Sequence, residues 1–231
     1  MKKAAVCLKD HSKLNYMKGV LKNKGLTYVS KDPQFVIAFG GDGSLLYSER
    51  KFPGVPKLLI KDSKRCNKCV GDNEETVLDL IRMNAYKITE APKIEAVFNG
   101  DRMIAMNDIV IRNKTPNQAI RMEIWINGHK KHEEFLGDGL VISTPYGSTA
   151  YFKSITRTSF DEGIGIAFNN PIEEHGPVFL EGLERLKVKF LRGSAQITAD
   201  NDPKIRTLKQ GETISVGKAK EITKLINIKG F

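Results

Sequence analysis

The sequence predicts an α/β fold: a first third in which strands and helices alternate, followed by a strand-rich remainder. Three observations carry this. Short apolar runs alternate with helical apolar periods up to about residue 90, the pattern of parallel strands with helices on their faces. After Pro92 the helical periods give way to strand patterns. Two Asn-Gly pairs, Asn99-Gly100 and Asn127-Gly128, mark tight hairpins, because both residue types tolerate the positive φ of a type I′ turn.

Ala4 to Leu8 reads as a strand and Leu14 to Leu21 as a helix stopped near Gly25. Leu26 to Val29, Phe35 to Phe39 and Pro56 to Ile60 are further strands, with a short helix from Ser44 to about Glu49 between the last two. Asp72-Asn73 suits a helix cap, and Val77, Leu80 and Ile81 follow it at helical spacing. Beyond Pro92, Ala96 to Phe98 and Met103 to Met106 form one hairpin, and Met122 to Ile126 opens another. Leu140 to Ile142, Leu186 to Leu191, Ala195 to Ala199, Thr213 to Val216 and Glu221 to Ile228 continue the strands. Trp125 and the Met122/Ile124/Ile126 face are expected in the core. The domain boundary falls near residue 90, giving an α/β domain over 1–90 and a β-rich domain over 91–216.

The chain has 231 residues, enough for two modest domains. With 40% hydrophobic and 28% charged residues it has a globular composition. Its net charge of +10 attracts anions, whether nucleic acid, phosphorylated metabolites or lipid. The basic residues are spread along the chain rather than gathered in an arm. Charge alone does not choose among these ligands, and a basic nucleic-acid-binding module stays a third alternative, although no nucleic-acid partner is expected. The apolar run after Lys2-Lys3 stops at Lys9-Asp10, short of a signal peptide, and no apolar stretch has the length of a membrane span. A cytoplasmic protein without a membrane partner is expected. Three cysteines (Cys7, Cys66, Cys69) fit a reducing compartment.

Two segments carry the chemistry. Gly40-Gly41-Asp42-Gly43-Ser44 follows a buried strand and opens a helix. Glycines let a ligand approach the backbone, and a helix start suits phosphate. The Walker lysine and the GxGxxG spacing are both missing. Asp42 would repel phosphate, so it is read as the acceptor of a proton from an attacking hydroxyl; a tight turn using Asp for its φ tolerance is the alternative. The second segment runs from Gly137 to Tyr151 (GDGLVISTPYGSTAY). Its strand enters a turn of small hydroxyl residues, which leaves main chain open to a base or ribose, while Tyr151 offers a ring.

Together these segments resemble the NAD kinase family, which pairs a GGDG loop with an Asn-Glu dipeptide and a later GDG-(apolar)-STP-x-GSTAY stretch. The resemblance covers roughly residues 1 to 216. It implies an N-terminal α/β (Rossmann-like) domain, a C-terminal all-β sandwich-like domain, a last strand (about 217–231) returning to the first domain, and a homodimer or homotetramer. It also implies transfer of a phosphoryl group from ATP, another nucleoside triphosphate or polyphosphate to the 2′-hydroxyl of NAD's adenosine ribose, with Mg²⁺ arriving on the donor. By position Asp42 is the catalytic acid-base residue, with Gly40, Gly41, Gly43 and Ser44 at the ligand. Asn107-Asp108 matches the Asn-Glu pair at the adenosine, with a carboxylate one methylene shorter. Asp138 matches a residue on the nicotinamide side, Thr149, Ala150 and Tyr151 the adenosine turn, and Ser154 a further contact. Tyr146 replaces a small hydroxyl residue, and its ring either stacks on adenine or turns away. His175, in Pro171-Ile172-Glu173-Glu174-His175, resembles a Pro-His region of the family, and Ala199-Asp200-Asn201-Asp202 loosely resembles its late Val-Asp-Gly-Gln turn.

The chain departs most from the family between Lys61 and Cys69. A basic loop stands where a Gly-rich one is usual, and it is expected to hold donor phosphates by charge. Cys66 and Cys69 supply half of a zinc site; a zinc shared between subunits, a redox pair and incidental cysteines all remain open. A diacylglycerol-type lipid kinase also uses GGDG, and a non-catalytic NAD(P) sensor would share the binding residues; both are alternatives.

Overall fold

The computed structural model describes residues 2–62, 69, 73–181 and 185–228. Asp72 and most of the basic loop, including Cys66, lie outside the described residues. The chain forms two compact units, residues 1–91 with 222–231, and residues 92–221.

The first unit begins with β1 (Lys3–Leu8), α1 (Leu14–Asn23), β2 (Thr27–Tyr28), β3 (Phe35–Gly40), α2 (Asp42–Lys51), β4 (Lys57–Lys61) and α3 (Glu74–Arg82). Asn73 caps α3, its side-chain oxygen accepting the Thr76 N–H at 3.0 Å. The strands pair in parallel in the order β2-β1-β3-β4, and the C-terminal part of β16 (Thr213–Ile228) adds to β4, with Leu225 opposite Lys57. One sheet face buries Val6, Ile37 and Leu58 against Met17 and Leu21 of α1 and Val77, Leu78 and Ile81 of α3. The other packs Ala5, Cys7 and Val36 against Tyr47 of α2 and Phe52. Helices on both faces make this a doubly wound sheet. Lys57, 1% exposed, ties the end of α2 to β4: its ammonium reaches Glu49 at 2.5 Å and the Phe52 carbonyl at 2.7 Å.

The second unit takes in β5 (Tyr86–Phe98), β6 (Asp101–Ala105), β7 (Asp108–Asn113), β8 (Ile120–Ile126), β9 (His129–Gly137) and β10 (Gly139–Ser143). A short turn of helix, α4 (Lys153–Thr156), precedes β11 (Ile164–Asn169), β12 (Val178–Leu180), β13 (Leu186–Arg192), β14 (Ala195–Ala199) and β15 (Arg206–Leu208). β5 begins in the first unit and β16 ends there. One sheet runs β12-β11-β10-β7-β14-β15, and another has β16, β13, β8 and β9 side by side. Their inner faces share one core, with Ile111, Leu140 and Ile197 from the first and Met122, Ile124 and Val188 from the second. Both Asn-Gly pairs turn hairpins with positive φ at each residue.

Trp125 is not a core residue. β8 alternates buried and half-buried positions, so Met122, Ile124 and Ile126 face inward and Trp125 faces out, as the two-residue period of a strand requires. Two strands expected at Thr213 to Val216 and Glu221 to Ile228 are one continuous strand, because Val216, Gly217 and Ala219 stay buried and no turn intervenes. β7 and β11, unmarked in the sequence reading, are nearly all buried. Phe152 covers their outer side, together with Ile155 and Phe160, so they show none of the alternation that reveals a half-exposed strand.

Candidate active site

In the first unit the strand order places β1 and β3 where the connections diverge, one towards β2 and the other towards β4. In such sheets ligands bind outside the carboxyl ends of the strands at this switch point, and here β3 ends there in Gly40. Gly40 has a φ of +148°, open to glycine alone, and a Cβ on it would collide with the Ser44 hydroxyl. Gly41 is the N-cap of α2, which starts at Asp42 rather than Ser44; Asp42 and Gly43 are exposed and Ser44 is buried. The helix dipole favours a carboxylate in this first turn, so Asp42 is compatible with the fold while remaining open to a ligand. After β4, the Asp62 N–H donates to the Gly40 carbonyl at 3.0 Å, and the Asp62 carboxylate holds Lys13 at 2.7 Å. Cys69 Sγ lies 3.7 Å from the same carbonyl.

In the second unit the turn after β10 wraps the residues that precede β7. Thr144 N–H donates to the Asn107 carbonyl at 2.9 Å, Ser143 Oγ donates to it at 3.2 Å, and Thr144 Oγ1 donates to the Met106 carbonyl at 2.6 Å. Gly147 has no room for a side chain, since a Cβ would lie 2.7 Å from the Asn107 Cα. Asp200, at the end of β14, completes the wrap. Its carboxylate accepts the N–H groups of Met106 at 2.8 Å, Asn107 at 2.7 Å and Asp108 at 3.2 Å.

The result is a fixed, buried Asn107 whose Oδ1 has no hydrogen-bond partner among the described residues. An acceptor left bare in this way costs free energy unless something donates to it. Beside it, burial pushes the Asp108 carboxyl up to about 7, with the Asp200 charge adding to the effect. Burial also raises Asp200, against the three N–H donors and the Lys93 charge, which favour its ionised form.

A second group joins Asp138 to the Tyr151 turn. Asp138 accepts Asn113 Nδ2 at 3.2 Å and Asn170 Nδ2 at 3.0 Å, and its N–H donates to the Asn169 carbonyl at 3.0 Å. Asn169 Nδ2 in turn reaches the Tyr151 hydroxyl at 3.4 Å. Tyr151 is 38% exposed, Thr149 and Ala150 are exposed, and Tyr146 is half-buried. Ser154 Oγ donates to the Tyr151 carbonyl at 2.7 Å. His175 packs at a tilt against Phe168 with centroids 5.0 Å apart and lines a cavity of about 550 Å³ with Asn170 and Glu174.

The structure thus brings Asn107, Asp108 and the Gly147 turn together, and links Asp138 to Tyr151 through Asn169 and Asn170. Sequence reasoning missed those two asparagines and gave Asp200 only a loose match. An Asn-Asn-Pro run after an apolar strand, and an aspartate closing another, were the available signals. Among the described residues no group of three His, Cys, Asp or Glu side chains is placed to hold a metal ion. No described helix is long and apolar enough to cross a membrane.

No protein-family model matches the chain. It is 34% identical to an NAD kinase of Sulfurisphaera tokodaii over 162 residues, 68% of this chain and 63% of that one, so the match spans less than two thirds of that relative. It is 30% identical to an NAD kinase of Clostridium perfringens over 206 residues, 83% of this chain and 74% of that one. The fold matches that of an NAD kinase from Archaeoglobus fulgidus solved in complex with ATP, with a TM-score of 0.82 over 98% of this chain and 94% of that one at 17% identity. It also matches a yeast NADH kinase complexed with NADH, with a TM-score of 0.86 over 98% and 83% of the two chains at 16% identity.

Proposed function

This chain belongs to the NAD kinase family, and from that premise we infer its reaction: transfer of the terminal phosphoryl group of ATP to the 2′-hydroxyl of NAD's adenosine ribose, giving NADP. Phosphoryl transfer asks for positioned groups and neutralised charge more than for covalent chemistry. Asp42, exposed at the start of α2, accepts the proton of the attacking hydroxyl as the new P–O bond forms and the donor's bridging P–O bond breaks. Gly40, Gly41, Gly43 and Ser44 receive the donor's phosphates at the positive end of α2. Mg²⁺ bound with the donor would neutralise phosphate charge, held largely by phosphate and water.

The observation that carries the acceptor side is the unpartnered Asn107 Oδ1. Adenine's exocyclic amine is the donor it lacks. Asp108 takes a ribose hydroxyl, Thr149, Ala150 and Tyr151 line the adenosine, and the Tyr146 ring stacks on the base. Asp138 serves the nicotinamide side, with Ser154 and His175 as further contacts. A cytoplasmic homodimer or homotetramer is the assembly this reading expects, and light scattering on the purified protein would size it.

The test is a reaction of purified protein with Mg²⁺, NAD and ATP, with polyphosphate as a second donor, read by an NADP-specific dehydrogenase. NADP formation is the expected result. NAD binding without NADP would make the chain a sensor, and phosphorylation of diacylglycerol but not NAD would make it a lipid kinase.

A further inference from the structure

The outward face of β8, β13 and β9 carries a feature that none of the motif residues explains. Trp125 is paired across the sheet with Lys187 on β13 and with Lys130 on β9, and Lys187 is paired with Ser215 on β16. Residues directly opposite one another share a sheet face, so the chain's one tryptophan sits in a row between two lysines. Both ammonium groups lie over the indole, 5.8 Å and 5.9 Å from a ring centroid. Around this row is a cavity of about 530 Å³, lined by Trp125, Asn127, Arg185, Lys187 and Ser215 among others, within the size range of small-molecule sites.

The cations differ in how far they are already engaged. Glu123 holds Lys130 at 2.8 Å. Arg185 is 67% exposed, and its ion pair to Glu95 is long, at 4.0 Å, while Arg102 holds that same carboxylate at 2.6 Å. Lys187 has no carboxylate within ion-pair distance among the described residues. The Asn127-Gly128 turn fixes the backbone of Arg185 from both sides: Asn127 Oδ1 accepts its N–H at 3.0 Å, and the Asn127 N–H donates to its carbonyl at 3.0 Å.

We propose that this cavity is a second nucleotide site, in which Trp125 stacks a base and Arg185 and Lys187 hold the attached phosphate. The indole is the flat surface a base needs, guanidinium is the cation best shaped for phosphate, and a stacked base would exchange the Lys187–indole contact for a Lys187–phosphate one. A free nucleotide is favoured over a strand. Faces that bind single-stranded nucleic acid present successive rings, whereas Trp125 is the only aromatic side chain on this face among the described residues.

Because the chain has one tryptophan, its fluorescence reports this site directly. Titration with 5′-AMP is expected to quench the emission saturably, and less so at high salt. Adenosine, which lacks the phosphate, should bind at least about tenfold more weakly, as should AMP to the R185E/K187E variant, the loss expected for a charge-assisted contact. Both substituted side chains are exposed, and unchanged circular dichroism would show that the variant folds. N107A should keep the AMP quench. Absence of saturable quenching, equal binding of adenosine, quenching that survives in R185E/K187E or is lost in N107A, or a response to oligoadenylate alone would each overturn the proposal.

Discussion

The Asp200 carboxylate accepts the backbone N–H of Asn107 at 2.7 Å, across 93 residues of sequence. The same carboxylate takes the N–H groups on either side, so one half-buried side chain sets the backbone from which Asn107 presents its bare oxygen. Asp200→Ala leaves three donors without an acceptor, each costing about 1–3 kcal/mol if it stays unsatisfied. Partial relaxation should bring the loss to roughly 3 kcal/mol in urea denaturation, with a raised KM for NAD. Asp200→Asn keeps one acceptor oxygen and should lose less. A variant with alanine there and parental stability would show that the turn holds itself.

Asp108 predicts a pH dependence with a definite sign. Its carboxyl is pushed up to about 7 in the folded protein, whereas an aspartate in the unfolded chain ionises near 3.9. Between those values the folded state keeps a proton that the unfolded state has lost, so stability falls as pH rises from about 4 to about 7 and levels off above. The gap corresponds to roughly 4 kcal/mol. Asp108→Asn should flatten this slope and melt above the parent at pH 8. Identical pH–Tm curves for the two proteins would place the titration elsewhere.

Asp42 is exposed, so its removal tests chemistry separately from folding. Asp42→Asn should lower kcat by ~10²–10⁴, the range for losing a positioned base, with Tm close to the parent's. Near-parental turnover would take Asp42 out of the mechanism.

The Lys57–Glu49 pair concerns stability alone. Lys57 is 1% and Glu49 4% exposed, and the Glu49 carboxylate also accepts the Gly54 N–H at 3.0 Å. Glu49→Ala strands a buried ammonium and should cost about 3–5 kcal/mol. Glu49→Ala/Lys57→Met removes both charges and should recover much of that loss, which chemical denaturation of the three proteins would measure.

What the sequence determined by itself was whatever depends on near neighbours. Asn99-Gly100 and Asn127-Gly128 turn because their own φ angles allow it. Asn73 caps α3 through a residue three positions away, and the GGDG and GSTAY segments carry the family resemblance residue by residue. Only the tertiary structure decided what depends on long-range pairing. β7 and β11 are covered on both sides, so their strand character lies in partners distant in sequence. Trp125 faces outward because its neighbours Ile124 and Ile126 face the core. Asp200 matters because strand β14 pairs with β7, which brings its carboxylate to the Asn107 backbone; no local pattern around residue 200 encodes a partner 93 residues earlier. Local conformational preferences act through adjacent residues, whereas burial and hydrogen-bond satisfaction are settled by whatever the folded chain places alongside.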